Sequence, residues 1–236
     1  EHLYDESQYV SSGPDILQDL FDRLYITADL VVAGAAPAAV TALLDASNPD
    51  LEARWSGVAA AWEHCKHTGF GEAVRLTARR VYGMDEITVP GLYAAVERNT
   101  LLRQPGERLR ILRDEGLLDY VQIDSKTWSC LPDPAGSDFF LHDLSWYLLS
   151  NGEIEFEALQ QETQIEVTDL TSLRSAFEAL FARYAPCAIA VKSQHAYRRT
   201  LLWSERSDAD AARVLQQLLR GATVSEAERL CMGDWC

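Results

Sequence analysis

The chain predicts an α/β protein in which a block of helices precedes strands and helices in alternation. Three observations carry that prediction. From residue 15 to residue 116, apolar residues recur at helical spacing and no strand pattern interrupts them. After residue 117, short runs rich in aromatic and β-branched residues alternate with helical stretches, the order that builds a parallel sheet. Residues 187–191 form an unbroken apolar run behind Pro186, which suits a strand buried on both faces. Polarity then switches at once to Lys192, Ser193, Gln194, His195, Tyr197 and Arg198. The carboxyl end of a parallel strand is where α/β proteins place their chemistry.

Taken in order, residues 1–14 read as a loop closed by Gly13 and Pro14. Ile16, Leu17, Leu20, Phe21 and Leu24 keep helical spacing, and Gly34 stops that run. Pro37 opens a second helix, and Asn48 with Pro49 opens a third that can run to Thr68 and Gly69. Helices over 72–82, 92–102 and 107–115 follow, closed or preceded by Gly83, Gly91 and Gly116. Residues 118–124 read as a strand. Residues 125–137 form a loop with Pro132, Pro134 and Gly136, and 139–141 is a second apolar run ending in His142 and Asp143. After a turn at Asn151 and Gly152, residues 153–161 are an acidic helix. Asp169 caps a helix carrying Leu170, Leu173, Phe177, Leu180 and Phe181, with Arg174 and Glu178 an i,i+4 pair. It feeds the 187–191 strand, and helices over 208–220 and from Thr223 onward complete the chain. The domain reading is a strand end and loop over 1–14, a helical block over 15–116 and a strand–helix segment over 117–236.

Composition narrows the function. With 236 residues, 47% of them hydrophobic, a sizeable core is available. The net charge of −15 argues against a nucleic-acid backbone or an anionic membrane as partner. No run approaches the roughly 20 apolar residues of a membrane span, and the first residues lack signal-peptide character. Five cysteines without a Cys-x-x-Cys pair fit reduced thiols, so a cytoplasmic location is expected. Only three lysines occur, and one of them, Lys192, falls at the strand end.

Inside the helical block, His64 and His67 share a helical face, but no further ligand is spaced to complete a metal site, and a solvated face is the alternative. Trp55 and Trp62, seven apart, read as one core stripe. His142 beside Asp143 is either a proton shuttle or a buried neutral histidine.

Two stretches resemble the amidohydrolase superfamily. Glu1-His2-Leu3 looks like the tail of that family's first-strand Asp-x-His-x-His motif, with the first histidine falling just before Glu1. Lys192-Ser-Gln-His195-Ala-Tyr197-Arg198-x-x-Leu201 resembles the fourth-strand segment of the branch that includes glutamine-synthetase-fused amidohydrolase domains and uronate isomerases. The resemblance implies a (β/α)8 barrel, here its first half. A large helical insertion would follow the first strand, strands two to four would lie in 117–236, and the rest of the barrel would lie outside the chain. It implies a divalent metal, zinc as first choice, with His2 as a ligand, whereas the family's later histidines and aspartate have no counterpart. It implies a hydrolase in which metal-activated water attacks an amide, ester or lactone bond of a small anionic substrate. The alternatives are a uronate-isomerase-like enzyme, a non-hydrolytic decarboxylase and a catalytically silent binding domain. His142 and Lys192 are the candidate catalytic residues. Lys192, His195, Tyr197 and Arg198 are the candidates for substrate binding. Lys192 is open to three readings: a carbamylated metal bridge, a cation for a substrate carboxylate, or a structural ion pair. Arg198 either forks onto a carboxylate with Tyr197 or pairs with Glu205 or a neighbouring helix. Self-association into a homo-oligomer is compatible with all of these.

Overall fold

The computed structural model describes residues 5–22, 25–124 and 127–236. The described residues divide into two compact units, Ser7–Ile111 and Leu112–Cys236, the latter joined by Asp5 and Glu6. The first is all helix: α1 (Glu6–Ser11), α2 (Ile16–Phe21), α3 (Ile26–Val32), α4 (Pro37–Leu43), α5 (Leu51–Ser56), α6 (Ala59–Cys65), α7 (Gly69–Tyr82), α8 (Val89–Leu101) and α9 (Glu107–Arg110). Side-chain caps start several of them. Asp15 accepts from the Gln18 amide, Thr68 from Gly71 and Thr88 from Gly91. The expected helix over 49–68 is two helices, α5 and α6, broken around Gly57. A β-carbon on Gly57 would sit 3.1 Å from that of Ala39, so the chain bends where α4 packs closely.

The core of this unit gathers Leu17, Leu20, Phe21, Leu30, Leu43, Val74 and Leu92. Trp55 and Trp62 join it, their rings 5.7 and 5.6 Å from that of Phe21. Two nearly buried ion pairs hang from α2. Arg54, 1% exposed, donates to Asp15 at 2.7 and 2.9 Å and to the Leu43 carbonyl. Arg103 forks onto Asp19 at 2.7 and 2.9 Å, and Tyr9, Tyr82 and Asn99 also donate to Asp19.

The second unit contains β1 (Val121–Ile123), β2 (Phe140–Ser145), α10 (Tyr147–Ser150), α11 (Phe156–Thr163), α12 (Leu170–Tyr184), β3 (Ala190–Lys192), α13 (Asp208–Leu219) and α14 (Glu226–Trp235). The strands form one parallel sheet in the order β1-β2-β3. β1 pairs with Phe140, Leu141 and His142; β3 pairs with Asp143, Leu144 and Ser145. Leu144 packs with Leu149, Leu173, Leu180, Val214, Leu215 and Met232 in the unit's core.

This overturns the expected half-barrel. The described residues are dominated by helix, with three short parallel strands and no evident barrel wall. The physical reason is the distribution of apolar residues. Most recur at helical spacing, and two of the three strands hold only three residues each, enough for a narrow ribbon pinned to β2. The strand expected over 187–191 to be buried on both faces is also corrected. β3 starts at Ala190 and pairs with β2 alone, leaving Ile189 and Val191 43% and 52% exposed. Among the described residues, no helix is long and apolar enough to cross a membrane.

Candidate functional site

Side chains alternate across a strand, and in-register residues of parallel neighbours share a face. The register therefore sorts the strand ends. Leu141, Asp143 and Ser145 of β2 lie on the face that carries Gln122 of β1, Asp124 just beyond it, and Ala190 and Lys192 of β3. Val121, Ile123, Phe140, His142, Leu144 and Val191 lie on the other. A polar cluster thus occupies the carboxyl end of one face.

Asp143 is fully buried, and both its carboxylate oxygens accept from the Gln122 amide, at 2.7 and 2.9 Å. Burial pushes its pKa above the ordinary carboxylate value; Gln122 and Lys192 pull the other way. The Lys192 ammonium lies 4.0 Å from Asp124, whose side chain is buried. The Ser145 hydroxyl is buried and has no hydrogen-bond partner among the described residues. Ser145 also lines a cleft of about 290 Å³ with Thr127, Trp128 and Ser129 from the loop after β1, Tyr147 of α10 and Glu162 of α11.

The chain after β3 turns sharply. Gln194 adopts a left-handed conformation, φ 45°, which a residue with a β-carbon takes at a cost on the order of 1 kcal/mol. The turn brings the Ser193 hydroxyl to 2.9 Å from His195 Nδ1. The His195 ring stands edge-on to Trp203 at 4.8 Å, and burial and the nearby Arg199 lower its pKa. Arg199 is the anchor of this segment. It binds the Ser150 and Leu202 carbonyls at 3.1 Å and the carboxylate of Asp234 on α14, which Arg206 also holds at 2.9 Å.

The residues singled out in the sequence separate in space. Lys192 and Asp124 meet as strand-end neighbours. His142 does not join them, because as the residue next to Asp143 it points to the opposite face. Its Nε2 lies 3.7 Å from Asp5, beyond hydrogen-bond distance, and neither ring nitrogen is hydrogen-bonded among the described residues. Arg198 donates to both oxygens of Glu153 at 2.7 and 2.8 Å and lines a separate pocket of about 220 Å³ with Arg199 and Arg229. Its partner is therefore Glu153, not Glu205. Tyr197 is 74% exposed. His2 lies outside the described residues. Sequence reasoning missed Gln122 and Ser145, and Arg199 as the anchor; extending the strand register through His142 to Ser145 would have exposed the first two as alternating polar positions.

Zinc requires about three protein ligands converging on one point. Among the described residues, no three His, Cys, Asp or Glu side chains are grouped to hold a metal ion. Asp124 and Asp143 share a face, and the Lys192 ammonium stands 4.0 Å from Asp124. The expected ligand His2 is outside the described residues, and these alone hold no complete zinc site. No protein-family model matches the chain, and no curated protein matches it significantly.

Proposed function

We propose that the polar face at the carboxyl end of β1–β3 is the site of a hydrolase acting on a small anionic substrate by acid–base chemistry. The observation that carries this reading is the gathering, on one face of a three-stranded sheet, of two buried carboxylates, a half-buried lysine and a buried serine hydroxyl with no hydrogen-bond partner among the described residues. Such groups cost stability when buried, and their concentration at strand ends is a mark of sites that bind or react. The resemblance of residues 192–201 to amidohydrolases adds the reaction class, cleavage of an amide, ester or lactone bond.

In this reading each group has one task. Lys192, about one-third exposed at its side chain, attracts the substrate's anionic group or polarises its carbonyl. Asp143, its pKa raised by burial, is the acid–base group that faces the leaving group. Ser145 offers a hydroxyl hydrogen bond at the cleft wall. A raised acid gives a falling limb: activity declines as pH rises through the Asp143 pKa.

The test is a panel of N-acyl amino acids, lactones and uronates assayed with the wild type, Lys192→Met and Asp143→Asn. On the substrate that turns over, Lys192→Met is expected to raise KM. Asp143→Asn is expected to lower kcat by about 10²–10⁴-fold and to abolish the high-pH limb. Wild-type rates in both variants, with melting temperatures unchanged, would end the proposal. Interconversion of uronates without hydrolysis would replace hydrolase by isomerase at the same face.

A further inference from the structure

Two cysteines meet at one carbonyl oxygen. Cys130, in the loop after β1, is fully buried, and its thiol donates to the Tyr184 carbonyl at 3.3 Å. The backbone N–H of Cys187, ahead of β3, donates to the same oxygen at 2.9 Å, and the Cys187 residue is exposed. The Cys130 sulfur and the Cys187 amide nitrogen thus stand 3.3 and 2.9 Å from one and the same carbonyl oxygen, and a disulfide between the two would draw their β-carbons to about 3.8 Å. The Cys130 thiol is pushed up first by burial and next by the charge of Cys187, which places the two sulfur groups in each other's field.

We propose that Cys130 and Cys187 are a peroxide-sensitive modification site that closes an intramolecular disulfide. Cys187, the accessible member, reacts first. Its thiolate takes one oxygen from hydrogen peroxide, giving a sulfenic acid and releasing hydroxide, which leaves as water with the thiol proton. The Cys130 sulfur then attacks that sulfur while giving up its proton, the S–O bond breaks, and the departing hydroxide leaves with that proton as a second water. Two thiols lose two electrons and two protons, and one peroxide becomes two waters. The bond would tie the loop that contributes Thr127, Trp128 and Ser129 to the cleft directly onto the segment that leads into β3. The inference is independent of the reaction proposed for the sheet face.

The experiment uses the full chain, reduced and then treated with hydrogen peroxide. It is read by thiol titration in denaturant and by peptide mapping without reduction. The wild type should fall from five thiols by two, carry a peptide linking Cys130 to Cys187, remain monomeric by that link, and recover on reduction. Cys187→Ser should lose no thiol under the same treatment. In Cys130→Ser, provided it folds, Cys187 should stop at a sulfenic acid that dimedone traps. Thiol loss in the wild type with no Cys130–Cys187 peptide would overturn the proposal. So would Cys187 joined to a second chain, or equal thiol loss in Cys187→Ser.

Discussion

At the scale of single residues, the two arginines bound to α2 and the aspartate under the sheet make opposite demands. Arg54 is buried and forked onto Asp15 while also satisfying a carbonyl, so removing it strands a carboxylate and a peptide oxygen together. Arg54→Ala is expected to cost about 3–5 kcal/mol, read as a lowered denaturant midpoint with an unchanged m-value. Asp143 behaves differently. Its pKa is raised in the folded chain, so the native state binds that proton more tightly than the unfolded state. The ionised form costs stability at pH above the native pKa, and that cost fades as pH falls through it toward the unfolded value of 3.8. Asp143→Asn should therefore flatten the stability profile across this window, measured by urea unfolding at stepped pH; an unchanged profile would deny the buried carboxylate its role.

At the scale of elements, α14 and the strands show what caps and edges do. α14 begins with a reciprocal box in which Ser225 accepts from the Glu228 amide and Glu228 accepts from the Ser225 amide and hydroxyl. The hydrogen bonds from Ser225 and Gln217 depress Glu228 to about 2 from 4.5. A depressed carboxylate stabilises fully above its unfolded pKa, and the contribution is lost as pH falls through the native one. Glu228→Gln should therefore remove part of the acid limb between pH 4.5 and about 2, followed by far-UV circular dichroism. The strands make a sharper contrast. Leu144 is fully buried and Val191 is 52% exposed, although both sit in apolar runs. Leu144→Ala should cost about 2–5 kcal/mol. Val191→Thr should change stability by less than about 0.5 kcal/mol, the usual effect of a surface substitution. Equal losses in thermal melts would mean that the outer face of β3 is covered.

At the scale of the whole molecule, each compact unit owns its core. The helical unit closes its apolar cluster from α2 through α8 with residues of its own, and its two buried ion pairs both join partners inside Ser7–Ile111. A fragment of those residues is expected to fold alone, with a cooperative thermal transition and helical circular dichroism. A fragment without a cooperative transition would show that the unit depends on the rest of the chain. The strand–helix unit likewise gathers its core from β2, α12, α13 and α14, and the polar sheet face sits at its strand ends.

Much of this was legible in the residues themselves. Helical periodicity, the Asp169 cap, the Trp55 and Trp62 stripe and the alternation after residue 117 are local, because spacing of three to four, or of two, is imposed by backbone geometry within one element. Lys192 stood out because polarity changes abruptly along the chain, and it does lie against Asp124. What the residues could not reveal depends on which strand lies beside which. A one-residue step along a strand moves a side chain to the opposite face, so His142 and Asp143, adjacent in sequence, part company. Register with β1 and β3 decided that Asp143 and Ser145, not His142, join Gln122, Asp124 and Lys192. The apolar run before Lys192 reads the same whether a strand is central or at an edge, since burial depends on neighbours contributed from elsewhere. Only the tertiary arrangement made β3 an edge, left Val191 exposed and limited the sheet to a narrow ribbon where a barrel wall was expected.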